Sequence, residues 1–162
     1  ENLNILFIGD TKHSRTVNSL IELLTLYPRN KINFLPYRNR EPCPEMCYRI
    51  SLYNYQPIED MTYINLEEVD LSIYNVIYCT RLQSERVVEQ YCINTIIDNK
   101  ILQEIGDNCI IMHPLPRNNE ISLEIDNDKR CVYFEQMKNG VEMRMAILDY
   151  LLANNLDSFT RK

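Results

Sequence analysis

The chain has 162 residues, a formal net charge of -6 and 45% hydrophobic residues. That length suffices for one domain with a real core, and an acidic balance without a basic stripe argues against nucleic acid, whose phosphates demand a positive footprint. No apolar run approaches the ~20 residues of a membrane span, and the start "ENLNILFIGD" has neither the basic region nor the cleavage site of a secretory leader.

In chain order, apolar runs alternate with helix-like segments. "NILFIG" (4–9) reads as a buried strand, and "RTVNSLIELLTLY" (15–27) as a helix with Val17, Leu20, Ile21 and Leu24 on one face. "KINFLPY" (31–37) is a second strand, followed by a helix around 44–55. "MTYIN" (61–65) is a third strand with "LEEVDLS" a short helix after it, "NVIYCT" (75–80) a fourth, and "CIIMH" (109–113) a fifth. "SERVVEQYCI" and "NKILQEIG" between the last two strands read as helices. A long helix closes the chain over 134–155, with Val141, Met145, Leu148 and Leu152 at helical spacing and Met143 and Met145 read as packing residues.

Continuous apolar strands separated by helices imply an α/β domain. The expected architecture is a doubly wound, mainly parallel five-stranded sheet with helices on both faces, Rossmann-like, in a single domain over 1–162. The first residue is Glu, so the chain reads as a piece of something longer. The six cysteines fall mostly in apolar runs; only Cys43 and Cys47 lie close, and no second pair or histidine cluster completes a zinc site. Reduced thiols and a cytoplasmic setting follow as the expectation.

In doubly wound folds the ligand sits outside the carboxyl ends of the strands. Those positions carry "GDTKHSRT" after strand one, "TRLQSER" after strand four and "HPLPRNNE" after strand five. Arg15, Arg81 and Gln83 therefore belong to loops on one edge, with a proline-stiffened segment at 114–116. A guanidinium presents a planar fork suited to carboxylate or phosphate, and the first turn of a helix adds unpaired N–H groups. Two arginines from different loops suit a small dianion. His13 reads as an exposed loop residue, while His113 fits a hydrogen-bonded core histidine as well as a site residue. "GDTKHS" is not G-x-G-x-x-G, so a dinucleotide fold is set aside.

In combination, "GDTKHSRTVNSL", "YCTRLQSER", "MHPLPRNNEISLEIDNDKRCVYFEQ" and "NGVEMRMAIL" resemble, in order and spacing, the signatures of the aspartate carbamoyltransferases, and within them the C-terminal, L-aspartate-binding half of the catalytic chain. The resemblance runs from about Leu3 to Leu152; segment 38–60 carries no family signature. It implies transfer of a carbamoyl group from carbamoyl phosphate to L-aspartate in pyrimidine biosynthesis. Arg15 and Arg81 match the arginines that hold the aspartate carboxylates, Gln83 a glutamine on the same substrate, and Thr16 a backbone contact to it. Glu85 matches an acid that orients the second arginine. Pro114, Leu115 and Pro116 match a loop whose carbonyls face the carbamoyl nitrogen and the attacking amine.

No catalytic residue, metal or cofactor is implied for this half. The carbamoyl-phosphate half is absent, so the 162 residues alone are expected to be inactive, and a homotrimer of complete catalytic chains is the expected assembly. Two other readings stay open here: a catalytically inactive homologue serving as a ligand-binding or scaffold domain, and a carbamoyltransferase for another amino acid.

Overall fold

A computed structural model describes residues 2–57, 60–63, 65–81 and 96–159. Four strands, β1 (Asn4–Gly9), β2 (Lys31–Pro36), β3 (Val76–Thr80) and β4 (Ile110–Met112), form a wholly parallel sheet in the order β2-β1-β3-β4. The chain leaves β1 toward one side to make β2 and returns to the other side for β3. The strand order thus reverses between β1 and β3, which opens a crevice beyond their carboxyl ends.

Both faces of the sheet are covered, which is why its strands are apolar without alternation. Successive side chains of β1 point to opposite faces. Ile5 and Phe7 pack with Phe34 and Tyr78 under α1 (Arg15–Leu24) and α2 (Pro44–Asn54), where Val17, Ile21, Met46 and Ile50 are buried. Leu6 and Ile8 pack with Ile77, Cys79 and Ile111 on the other face, against Ile101 and Leu102 of α3 (Asn99–Glu104). Cys79, like Cys43, Cys47, Cys109 and Cys131, is a free thiol.

Several elements differ from the sequence expectation. Among its described residues the "MTYIN" segment, expected as a strand, makes a single bridge, Thr62 to Phe34, in which the Phe34 N–H donates to the Met61 carbonyl and the Tyr63 N–H to the Phe34 carbonyl. The next outward-facing position of β2 is already taken. The Ile32 N–H donates to Gln56 Oε1 at 2.8 Å, and Gln56 Nε2 donates to the Ile32 carbonyl at 2.8 Å. A side-chain amide fills the ladder, and among the described residues the sheet has four strands rather than five. "LEEVDLS" forms two 3-10 turns, Leu66–Glu68 and Leu71–Ile73, in place of one helix. "SERVVEQYCI" lies outside the described residues.

The last helix, α4 (Tyr133–Phe159), is about 40 Å long. Its start is anchored by the fully buried Tyr133 and by Gln136, which accepts the His113 N–H. Met143 and Met145, expected to pack, stand in solvent together with Val141, Leu148 and Leu152, Met145 at 64% and Leu148 at 60% exposure. The helical spacing was legible, but nothing described in this chain covers the stripe. Among the described residues no helix is long and apolar enough to cross a membrane.

Candidate active site

The β1–α1 turn begins at Gly9, whose φ of +115° and closeness to β3 exclude a side chain: a Cβ there would lie 2.1 Å from the Thr80 carbonyl oxygen. Asp10 follows, fully buried, accepting the His13 N–H at 3.0 Å, with its other oxygen 4.0 Å from Arg40 Nε. Thr11 Oγ1 donates to the Arg40 carbonyl at 2.6 Å and fastens the turn to the chain beyond β2. Ser14 then caps α1, its hydroxyl accepting the Val17 N–H. The same hydroxyl receives the Thr80 hydroxyl at 3.2 Å, across the crevice. Arg15, the first residue of α1, and Arg81, the first residue past β3, are thereby brought to one rim.

The third wall comes from the turn after β4. His113 is buried; its N–H donates to Gln136 Oε1 of α4 at 3.0 Å. Its ring lies between two partners, with Nε2 2.9 Å from Glu120 Oε1 and Nδ1 accepting the Leu115 N–H at 2.9 Å. Burial pushes the Glu120 carboxyl up, but hydrogen bonds from His113 and the Asn118 N–H outweigh it and hold it below the usual carboxylate range. Leu115 has a φ of +50°, and the Leu115–Pro116 peptide is cis. The far flank is clamped by Arg117, which forms a bidentate pair with Asp126, donates to the Tyr133 hydroxyl at 3.1 Å and lies over the Tyr133 and Phe134 rings.

Between the three walls lies a polar cleft of about 190 Å³. Ser14, Arg15 and Thr16 line it from the first turn, Thr80 and Arg81 from the end of β3, and Pro114, Leu115 and Pro116 from the β4 loop. Its lining includes two arginines, three hydroxyl residues, and a backbone segment whose prolines lack the N–H needed to continue a strand, with carbonyls that can accept. That donor set fits a small molecule carrying carboxylates and an amine. Larger grooves, along α2 and beside α1, are more open and more apolar.

Residues 1–151 match the family described as aspartate/ornithine carbamoyltransferase, Asp/Orn binding domain. The chain belongs to this family. Among similar proteins, the multifunctional protein pyr1-3 of Dictyostelium discoideum is 43% identical over 151 residues, covering 90% of this chain and 7% of that protein. The catalytic subunit of M. jannaschii aspartate transcarbamoylase superposes with a TM-score of 0.81 at 29% identity, covering 96% of this chain and 50% of that one. Aspartate transcarbamoylase from Trypanosoma cruzi, in complex with aspartate and phosphate, superposes with a TM-score of 0.71 at 31% identity, over 91% and 47% of the two chains. The chain therefore spans about half the length of these solved structures and a small part of the multifunctional relative.

Of the residues singled out in the sequence, the carbamoyltransferase fold brings Arg15, Thr16, Arg81, Pro114, Leu115 and Pro116 to one cleft. Gln83 and Glu85 lie outside the described residues. Sequence reasoning missed Ser14 and Thr80, whose hydroxyls join two walls, and Glu120, which partners His113. A serine directly before the first helical residue is a cap signal in its own right. Glu120 carried no signal beyond lying inside the "HPLPRNNE" block.

Proposed function

We propose that this chain is a single domain, the L-aspartate-binding half of an aspartate carbamoyltransferase. Arg15 and Arg81 hold the two carboxylates of L-aspartate, with a backbone contact at Thr16 and Gln83 assisting, and Glu85 orients Arg81. Two forks from different loops fix both ends of a dicarboxylate and leave its amine free to face the β4 loop. The Pro114, Leu115 and Pro116 carbonyls accept from the carbamoyl nitrogen and the attacking amine. The amine nitrogen forms the new bond to the carbamoyl carbon, the carbon–oxygen bond to phosphate breaks, and the amine proton leaves with phosphate. This chemistry is carried by orientation and charge stabilisation, with no covalent enzyme intermediate.

The observation that carries the reading is the convergence of Arg15 and Arg81, from opposite sides of the strand-order reversal, on one small cleft rimmed by the 114–116 backbone. Phosphate would be held by a preceding half of the same polypeptide, docked against the apolar stripe of α4. The complete chain works in the cytoplasm as a homotrimer, in de novo pyrimidine biosynthesis.

The test is a carbamoyl-aspartate assay on the natural full-length polypeptide beside its Arg81→Ala variant. The variant is expected to lose about 2–5 kcal/mol of kcat/KM through its dependence on aspartate, while the 162 residues alone form no product. A full-length enzyme whose aspartate dependence ignores Arg81 removes the carboxylate assignment. An assembled wild type inactive with aspartate leaves an inactive homologue or a different amino-acid acceptor.

A further inference from the structure

His113 and Glu120 are fully buried beside the cleft, and the reaction as proposed uses neither. Their hydrogen bonds fix where the ring proton sits. A backbone N–H can only donate, so the Leu115 N–H, 2.9 Å from Nδ1, requires a bare lone pair there. The proton of the neutral ring is then on Nε2, where it donates to Glu120 Oε1 at 2.9 Å. Glu120 is suited to enforce this form, because an ionised carboxylate only accepts and its Oε1 is also held by the Asn118 N–H at 3.0 Å. The opposite tautomer would set two donors against each other at Leu115 and two acceptors against each other at Glu120.

The consequence reaches the cleft through one peptide plane. The Leu115 N–H and the Pro114 carbonyl belong to the same planar unit and point in opposite directions when the bond is trans. The cis bond of this loop is the next one, Leu115–Pro116. With the N–H tied to the buried ring, the Pro114 carbonyl must point away from the ring, and Pro114 lines the cleft.

We infer that His113, locked in its Nε2–H form by Glu120, is a positioning residue that anchors the Leu115 N–H and so aims the Pro114 carbonyl at the reacting carbamoyl group. This rests on the carbamoyltransferase reading given above. His113 touches no substrate. It sets the direction of an acceptor that matters as the new bond forms, so its loss lowers kcat more than it weakens aspartate binding.

The test is steady-state kinetics on the natural full-length enzyme, well below each variant's melting temperature. His113→Gln keeps an amide N–H toward Glu120 and removes the Nδ1 acceptor; its kcat is expected to fall about 10- to 100-fold with aspartate KM within about threefold. Glu120→Gln presents its amide oxygen to both donors and keeps kcat within about threefold of wild type. If His113→Gln fails to assemble, the double variant His113→Asn with Glu120→Gln places an amide oxygen near the Nδ1 position without a buried charge and is expected to retain at least about a third of kcat. An active wild type with unchanged kcat in His113→Gln, a loss confined to KM, or a collapse of kcat in the double variant overturns the inference and leaves the function standing. A folded wild type that makes no carbamoyl-aspartate overturns both.

Discussion

Gln56 stands in for a strand beside Ile32: its amide oxygen accepts the Ile32 N–H and its amide nitrogen donates to the Ile32 carbonyl, with Ile32 wholly buried. Truncation in Gln56→Ala leaves two buried backbone groups without partners, at about 1–3 kcal/mol each. A loss of about 2–4 kcal/mol in urea unfolding is expected. Gln56→Glu adds a pH signature. Only the protonated carboxyl can both accept and donate here, so folding raises its pKa, and stability falls as pH rises above the unfolded value of about 4.3. The Glu variant should melt higher at pH 4 than at pH 7 relative to wild type; parallel curves would show that the amide is not bonded as described.

Gly9 and Thr80 pair in register at the ends of β1 and β3, and no side chain fits between them. Gly9→Ala puts its methyl 2.1 Å from a backbone oxygen and forces alanine to a φ of +115°. The two nearest atoms, the Thr80 carbonyl oxygen and carbon, belong to the backbone, so the strand ends must separate, at a cost of more than about 4 kcal/mol. Soluble yield and Tm report it. An alanine variant with native Tm would mean that the two strand ends do not meet this closely.

Much of this arrangement was readable before the fold was known, for identifiable reasons. Parallel strands buried on both faces announce themselves as apolar runs, so β1, β2, β3 and β4 all fell within a residue or two of expectation. The strand-end rule then pointed to Arg15, Arg81 and the 114–116 segment without any side-chain geometry. The fifth strand stops at one bridge among the described residues because both adjoining ladder positions of β2 are closed: Gln56 holds the Ile32 N–H and carbonyl, a pairing that no local pattern encodes, and Pro36 has no N–H to donate. The α4 stripe misled in a different way. Periodicity reports that a helix has an apolar face, but not which part of a polypeptide covers it. Ser14–Thr80 and His113–Glu120 are tertiary pairings of residues that look ordinary alone.

The 126–131 turn makes a prediction at acid pH. Arg130 donates from its backbone N–H, Nε and Nη2 to Asp128, and from Nη1 to the Leu102 carbonyl at the end of α3. Those bonds, the side-chain ones foremost, pull the Asp128 carboxyl down to about 2. A depressed folded pKa gives stability that is complete above the unfolded value of about 3.9 and is lost as pH falls toward the folded one. The pair is partly exposed, so its contribution is about 1 kcal/mol. Wild type should exceed Asp128→Asn in urea midpoint at pH 7, with the gap closing between pH 4 and pH 2. A gap that persists at pH 2 would assign the effect to shape rather than charge.

The apolar stripe of α4 separates this chain from the longer polypeptide proposed for it. Met145 and Leu148 lie one turn apart on the helix and are both mostly exposed. Replacing both with Glu removes no contact described within these 162 residues, and helix propensity changes little because Met, Leu and Glu rank close together. In the isolated chain the double variant should keep its Tm and gain solubility, since a large exposed apolar patch is removed. In the full-length polypeptide the same changes push two carboxylates into the interface between halves, and a loss of about 2–5 kcal/mol is expected. Paired thermal melts decide it. An unchanged Tm in the full-length protein would mean that α4 is not where the other half docks, and that its stripe is covered by some other surface.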